Sequence, residues 1–335
     1  NSRNKIISLH VKSLLNEEED FKDLLALTCL LSSQNIPKDL LTSFKDEITA
    51  NNFIYHLKKN SLIITRLKNS FISEFSLNFH HSIQEEILNI LTKEYNILLD
   101  RHIIESTIQL LENYMLNAIK ESSFSCLREI SPHIEAFLQH KNILTSEEEI
   151  RIKGPFGYIQ LILDNRKEAG ELLQRSLYIY KKNNIKNNYL LARLEFYLGN
   201  FKRSQRNYRE ALEYLEHSLI LYEKYSPKDL EAINGNLISL GSIYRELGEF
   251  KKAESILKKS IEISKNIYGF NHEKVYWSCV NLGVMYGHFG YCNETLEILE
   301  HYETFYRRTL GQNHQKYGWI LIRLGNTYRK LGMYE

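Results

Sequence analysis

A sequence pattern that recurs every 42 residues constrains the fold of this 335-residue chain more than any other feature. Its clearest copy runs from Leu240-Gly241 through Tyr244 and Gly248 to Ala253. Shifts of 42 residues in both directions bring the same residue types into register, which gives five copies with no insertion. The glycines at the equivalent of Gly241 are Gly157, Gly199, Gly241, Gly283 and Gly325. A repeat of this length predicts one supersecondary unit per copy, stacked on its neighbours.

Each copy has the spacing of two helices joined by a short turn. In the copy around Gly241, apolar residues recur on one helical face and stop before Gly248. A second apolar helical face follows, from Phe250 to Ile261. Gly241 and Ala253 are small because the two helices approach closely there, and a larger side chain would push them apart.

The motif Leu-Gly-x-x-Tyr-x-x-x-Gly-x-Phe-x-x-Ala resembles the tetratricopeptide repeat, and the resemblance covers residues 149–335. The 42-residue period exceeds that family's usual length of about 34 residues. With a Gly-x-x-His linker at Gly269 and Gly311, it is similar to the longer repeats of kinesin light chains and many signalling ATPases. Asp164 and Arg206 replace the glycine between the two helices in the first two copies. The resemblance implies an α-solenoid of about 4.5 repeats, and we expect the natural protein to continue because the last copy stops before its second helix.

The first 96 residues predict a different order of elements, namely three helices, two strands and a fourth helix. The predicted positions are Phe21–Leu31, a helix starting at Ile36-Pro37, Asn52–Lys59, the strands Ser61–Arg66 and Phe71–Phe79 around a turn at Lys68–Ser70, and a helix starting at His80-His81. This order is typical of a winged helix.

The same stretch resembles the winged-helix module that follows the nucleotide-binding domain in STAND signalling ATPases of the NB-ARC and NACHT groups. Leu24–Leu31, Ser61–Ile64 and His81–Glu85 carry the resemblance, although Ser82-Ile83 stands where the family usually has Arg-Leu. The resulting division is a winged-helix module at 1–96, a helical spacer at 97–148 and the repeat array at 149–335. The predicted fold class is mainly α, with a short β-wing in the first module.

The sequence contains no motif for catalysis. A Gly-x-x-x-x-Gly-Lys-Ser/Thr phosphate loop is absent, so the resemblance implies an NTPase domain upstream of Asn1 in the parent protein. The 43 Lys and Arg residues nearly balance the 41 Asp and Glu residues, which does not favour a nucleic-acid partner. Four dispersed cysteines without a CxxC pair favour a cytoplasmic protein, and no apolar run suits a membrane span. We expect no enzyme activity, cofactor or metal in this segment.

Four histidines have specific interpretations. His81 is expected to pack between the wing and the next helix, whereas the STAND resemblance implies that it contacts a nucleotide bound across the domain interface. His80 and His81 do not suggest a metal site, because adjacent residues on a helix point about 100° apart and no third ligand has a suitable spacing. His272 and His314, at the same linker position, are expected to cap the next helix.

The repeat array offers a candidate binding surface, because the first helices of stacked pairs line a concave face. The motif places four positions per copy on that face, six and three residues before and one and four residues after the Leu-Gly glycine. We name these positions the inner row: Arg193, Phe196, Asn200, Arg203, Gly235, Ile238, Ser242, Arg245, Trp277, Val280, Val284, Gly287, Trp319, Ile322, Asn326 and Arg329. Both tryptophans share one position in it, and three of its arginines share another.

Arginine beside aromatic and amide side chains suits an extended peptide that bears acidic and apolar groups. The predicted binding residues are the inner-row members Arg193, Asn200, Arg203, Ser242, Arg245, Trp277, Trp319, Asn326 and Arg329. The other interpretation of the same row is that its arginines are solvated and its tryptophans are packed.

These observations predict the non-catalytic sensing region of a STAND ATPase. Its array would bind a protein or peptide, its winged helix would couple binding to the upstream NTPase domain, and activation could drive oligomerisation. Two alternatives stay open. One is a free-standing tetratricopeptide scaffold, and the other is a winged-helix DNA-binding regulator with its recognition helix at residues 50–60.

Overall fold

Helices form most of the chain in the computed structural model, which describes residues 2–67, 75–140, 143–269, 272–309, 311–312 and 315–333. The predicted turn at Lys68–Ser70, the start of the second predicted strand at Phe71 and the linker residue His314 lie outside the described residues. Two compact units are present, Asn1–Ile185 and Lys186–Glu335. The boundary between them follows the first helix pair of the repeat region, and the three-part division at 96 and 148 stays a prediction.

The first unit begins with helices around a small antiparallel sheet. Its strand order is β1-β3-β2, and Leu77 of the central strand is paired with Ile36 on one side and with Thr65 on the other. The elements are α1 Ser2–Leu15, α2 Phe21–Leu30, β1 Ile36–Pro37, α3 Lys38–Phe44, α4 Glu47–Lys59, β2 Ile63–Leu67, β3 Phe75–Phe79 and α5 His81–Tyr95.

The structure corrects the predicted helix start at Ile36-Pro37. These two residues form strand β1, and the helix begins at Lys38. Pro37 has φ −65° and ψ 136°, an extended conformation that suits a strand end followed by a helix. Helix α4 starts earlier than predicted, at Glu47, because the Asp46 side chain accepts hydrogen bonds from the first-turn backbone at 3.0 Å.

Gln84 ties α5 to α2. Its amide nitrogen donates to the backbone oxygens of Thr28 at 2.8 Å and Leu31 at 3.0 Å. These carbonyls lie at the end of α2, where they have no partner within the helix. A side chain that is 6% exposed therefore closes a helix end that would otherwise be costly to bury.

The rest of the first unit is helical, as the sequence predicts for the spacer. A 3₁₀ turn at Ile97–Leu99 is followed by α6 Arg101–Lys120, α7 Phe124–Gln139, α8 Ser146–Ile162 and α9 Arg166–Lys182. One apolar core extends from Ile7 in α1 to Ile159 in α8.

An ionic cluster connects α6 with α8 at the edge of that core. Arg151 donates to Glu112 at 2.8 Å and to Glu105 at 2.7 Å, while Arg101 forms an ion pair with Glu148. The Glu112 side chain is only 9% exposed, so its charge depends on the guanidinium for stabilisation. These contacts raise the pKa of Arg151, although its burial acts in the opposite direction.

The second unit consists of the later repeat copies. Its helices are α10 Asn188–Ser204, α11 Tyr208–Tyr225, α12 Leu230–Glu246, α13 Phe250–Tyr268, α14 Glu273–His288, α15 Cys292–Thr309 and α16 Gln315–Leu331. The prediction of two helices per copy is confirmed for the copies whose second helix the chain contains, and the second helices start at residues 166, 208, 250 and 292.

The predicted close approach within a helix pair is confirmed. A Cβ added to Gly241 would lie 2.7 Å from Leu257, and one added to Gly199 would lie 2.5 Å from Leu215. Each leucine belongs to the second helix of the pair, so the glycine makes room for it. The predicted cap by His272 is also confirmed, since its Nδ1 accepts from the Lys274 backbone at 3.2 Å.

The turn inside each pair repeats one backbone conformation. Asp164, Arg206, Gly248, Gly290 and Gly332 are 42 residues apart, and all have positive φ, at 66°, 59°, 77°, 87° and 75°. Glycine adopts this region freely, whereas aspartate and arginine are strained in it. The turns at Asp164 and Arg206 therefore adopt the same left-handed conformation without the glycine that favours it.

Successive copies are joined by hydrogen bonds from tyrosine to glutamate. Tyr244 donates to Glu216 at 2.6 Å, and Tyr328 donates to Glu300 at 2.5 Å. In the copy between them Lys258 takes the place of the acceptor, and Tyr286 donates instead to Glu254, one helical turn earlier, at 2.9 Å. The motif tyrosine thus has a specific role in stacking one copy on the next.

Candidate functional site

The first helices of the second unit are neighbours, since α12 contacts both α10 and α14. A hydrogen-bond chain connects two of them. Asn200 of α10 accepts from Arg203 at 3.1 Å and from Ser239 of α12 at 3.1 Å. The inner row therefore lies on helices that pack directly against each other.

Part of the inner row is buried at this end of the unit. Asn200 is 2% exposed and Arg193 is 7% exposed, with the Arg193 guanidinium 5.8 Å from the Tyr189 ring centroid. A ligand would meet little of either side chain. Arg203 is half-buried, and Ser242 donates to the backbone oxygen of Ile238 at 3.0 Å.

A cavity of about 270 Å³ lies further along the same row, and we name it the row cavity. Its lining includes four inner-row residues, which are Arg245, Val284, Gly287 and Asn326. The other lining residues are Glu246, His288, Thr295, Leu299, Arg323, Thr327 and Lys330. Three successive first helices, α12, α14 and α16, contribute to it.

Gly287 lines the cavity at the end of α14. It occupies the inner-row position that is arginine in the other three copies, and it presents no side chain. Its carbonyl oxygen lies in the last turn of α14, where it has no partner within the helix, and it accepts a hydrogen bond from Lys330 Nζ at 2.8 Å. A Cβ added to Gly287 would lie 3.2 Å from the Thr295 hydroxyl oxygen, so the glycine makes room for α15.

The cavity is strongly cationic. Arg245 donates to Glu246 at 2.7 Å and 3.1 Å, whereas Arg323 lies with its guanidinium carbon 4.8 Å from the Trp319 ring centroid. Burial, and then repulsion from Arg245, lowers the pKa of Arg323. Within the described part of the chain no carboxylate forms an ion pair with Arg323, so its charge is held by the indole ring alone.

The motif positions predict Arg245 and Asn326 but not Arg323 and Lys330. The two missed residues lie two positions before and five positions after Gly325, outside the four inner-row positions of each copy. Trp319 is half-buried and Arg329 is exposed on α16, while the side chain of Trp277 lies outside what the structure describes. As binding residues, the nine inner-row members stay predictions.

His81 is not packed as one interpretation required. Its side chain is 74% exposed, and its Nε2 lies 3.2 Å from Glu85 one helical turn later. The packing interpretation is wrong because the position at the start of α5 faces solvent. Contact with a nucleotide stays a prediction.

A second cavity, of about 660 Å³, lies in the first unit beside α6. Its one lysine, Lys45, already forms ion pairs with Asp20 and Asp23, which raise its pKa despite the opposing effect of burial. The positive charge of Lys45 is therefore compensated, unlike the positive charge of the row cavity.

Other chemistry is limited among the described residues. No cluster of three or more possible metal ligands occurs there, and no helix has the length and hydrophobicity needed to cross a bilayer. The four cysteines are free thiols, and burial raises the pKa of the Cys29 and Cys279 thiols.

Comparison with known proteins supports the interpretation of the repeats. The family model of the tetratricopeptide repeat matches residues 197–228 and 237–273, so the chain contains tetratricopeptide repeats. A comparison with curated protein sequences gives no match.

Several solved structures are similar to this chain at low sequence identity. A STAND protein with a tetratricopeptide repeat sensor from Pyrococcus horikoshii gives a TM-score of 0.51 and 15% identity, over 95% of this chain and 55% of that one. BtubC (BKLC) from P. vanneervenii gives 0.47 and 16%, over 67% and 85% of the two chains. A putative kinesin light chain of Podosopora anserina gives 0.44 and 20%, over 62% and 96%.

Proposed function

We propose that the repeat region binds an extended peptide segment of a partner protein along the inner row, without catalysing a reaction. The row cavity carries this proposal, because it lies on the predicted face and combines Arg245 with the amide of Asn326. Guanidinium and amide groups hydrogen-bond the carboxylates and backbone of a peptide in fixed directions. The excess of positive charge favours an acidic partner.

The proposal extends to residues 1–96 of the first unit, as the winged-helix module of a STAND ATPase. Three features support it: strand β1 between α2 and α3, the antiparallel order β1-β3-β2, and the hairpin of β2 and β3 in the position of a wing. The similarity in fold to the Pyrococcus horikoshii STAND protein is consistent with this assignment. Such a protein would act in the cytoplasm, where the free thiols stay reduced.

Coupling between peptide and nucleotide needs a difference in affinity. A ligand shifts a conformational equilibrium only when it binds one state better than the other. A peptide that spans α12, α14 and α16 would favour one relative position of three stacked helices. In this scheme the winged helix transmits that preference to an NTPase domain elsewhere in the parent protein.

Selection of random peptides displayed on phage tests the binding proposal. The 335-residue chain serves as bait, and the selected peptides are measured against Arg245→Glu and the matched control Arg308→Glu. Arg308 is an exposed arginine on α15 that does not line the row cavity. We expect Arg245→Glu to weaken binding by roughly tenfold or more, since a charge-assisted contact becomes repulsive. Equal affinity of the selected peptides for both variants would contradict the proposal.

The nucleotide contact is tested separately in the parent protein. His81→Ala should accelerate ADP release if the exposed imidazole contacts a nucleotide held by the NTPase domain. His80→Ala is the matched control, because His80 is also exposed and its Nδ1 contacts Ser82 at 2.9 Å. Equal release rates for the two variants would count against a role for His81.

A further inference from the structure

The row cavity has more positive charge than a carboxylate ligand would neutralise. Among the described residues, Arg245, Arg323 and Lys330 line it together with the single carboxylate of Glu246, which leaves two positive charges uncompensated. A carboxylate carries one negative charge, whereas a phosphate monoester carries about 1.5 to 2 near neutral pH. Charge balance therefore favours the phosphate.

The cations are held in place before any ligand arrives. Lys330 is fixed by its bond of 2.8 Å to the Gly287 carbonyl, and the Arg323 guanidinium is held against the Trp319 ring. Neither contact uses an acidic side chain, so neither compensates the charge. An arginine stacked on an aromatic ring keeps its donors in a plane that suits paired oxygens.

The hydrogen-bonding groups around the cavity suit oxygen acceptors. Asn326 is exposed and offers an amide, and Arg323 and Arg245 offer guanidinium donors. The Thr327 hydroxyl, by contrast, already donates to the Arg323 backbone at 2.9 Å. The site is built from several donors and one acceptor carboxylate, which is the composition expected for an anion and not for a neutral ligand.

We propose that the row cavity is a phosphate subsite, which receives a phosphorylated side chain of the bound peptide. This inference rests on the proposed peptide binding, which it deepens by naming the group that anchors the peptide. Arg323 and Lys330 would contact the phosphate oxygens. No covalent step is involved.

The test uses fluorescent heptapeptide pools that are random except for a central phosphoserine, glutamate or serine. Their affinities are measured for the 335-residue chain, for Arg323→Gln and Lys330→Gln, and for the control Arg308→Gln. Lys330 is exposed, so its variant keeps the test valid if Arg323→Gln does not fold. Free O-phosphoserine is titrated in parallel and followed through the arginine side-chain NMR signals.

We expect the phosphoserine pool to bind roughly tenfold more tightly than the serine pool, with the glutamate pool between them. Arg323→Gln and Lys330→Gln should remove most of this preference, and Arg308→Gln should keep it. Equal binding of the phosphoserine and serine pools, or of the phosphoserine and glutamate pools, would overturn the phosphate subsite.

The outcomes also separate this inference from the proposed function. Equal, tight binding of all three pools refutes the phosphate subsite and leaves peptide binding standing. Shifts of the Arg323 signals with free O-phosphoserine, without binding of any pool, support the anion subsite and refute the peptide. Absence of both responses overturns the two together.

Discussion

Replacing the Leu-Gly glycine of a copy by alanine should have an effect that depends on how closely the second helix approaches. The distance from an added Cβ to its nearest neighbour rises along the second unit, from 2.5 Å at Gly199 and 2.7 Å at Gly241 to 3.1 Å at Gly283. At Gly325 the described residues place no atom within 4 Å of it. Four equivalent positions therefore form a graded series with an internal control.

Two opposing contributions determine the magnitude. Alanine stabilises a helix interior by about 1 kcal/mol relative to glycine. Against this, carbon atoms pack best at about 3.5–4.0 Å, and forcing an extra methyl into a close-packed site costs about 1–3 kcal/mol. Gly325→Ala should therefore raise the free energy of unfolding by about 1 kcal/mol, whereas Gly199→Ala should lower it by about 2 kcal/mol. Gly241→Ala and Gly283→Ala should lie between these values in that order.

Urea denaturation followed by circular dichroism measures the series, with the slope of each transition checked against the unsubstituted chain. The order Gly199, Gly241, Gly283, Gly325, from most to least destabilising, is the expected result. An equal gain in stability at all four positions would refute the explanation that close helix approach selects glycine.

Three further predictions concern the turns, the ionic cluster and the tyrosine contacts. Arg206→Gly should raise the melting temperature, because relief of the left-handed strain of about 1–2 kcal/mol exceeds the entropic cost of glycine of about 0.5–1 kcal/mol; an unchanged or lower temperature would contradict this. Arg151→Leu should destabilise the chain by about 3 kcal/mol in urea titrations by removing the guanidinium beside the buried Glu112 charge, and adding Glu112→Gln should restore part of the loss; no rescue would argue against the ion pair. Burial and the bond to Glu216 raise the pKa of Tyr244. The contribution of Tyr244 to stability should therefore be full below the usual tyrosine pKa of about 10 and should fall as the pH rises above it. Tyr244→Phe should reduce that fall, which urea midpoints measured on either side of this pH would show.

The helix pairs could be predicted because their signals are local. Apolar spacing, a small residue at the close approach and a glycine turn recur in each copy, and each signal acts within a few residues. Helix α1 gave no such signal. Its buried face of Ile7, Val11 and Leu14 is accompanied by exposed Ile6 and Leu9, which blur the contrast between the two sides.

The candidate site could be predicted only in part, because the motif assigns the same inner-row positions to every copy. Arg245 and Asn326 follow from their positions in the motif, whereas Arg323 and Lys330 lie outside the four inner-row positions and still line the same cavity. Lys330 is held there by the carbonyl of Gly287, which belongs to a different copy and replaces the arginine of the pattern. Features that depend on how one copy differs from its neighbour need the stacked structure to become visible.

The left-handed turn at Asp164 bears on how repeats of this kind are counted. The family model covers 197–228 and 237–273, yet α8 and α9 form a helix pair with the same internal turn. Two packed helices dictate the route between them, and a local strain of about 1–2 kcal/mol is small beside the apolar burial that enforces it. Sequence can thus drift away from a recognisable motif while the backbone stays in register. Surveys that count repeats by motif alone will undercount such arrays. Helix positions that recur at a fixed interval of 42 residues identify the repeats more reliably.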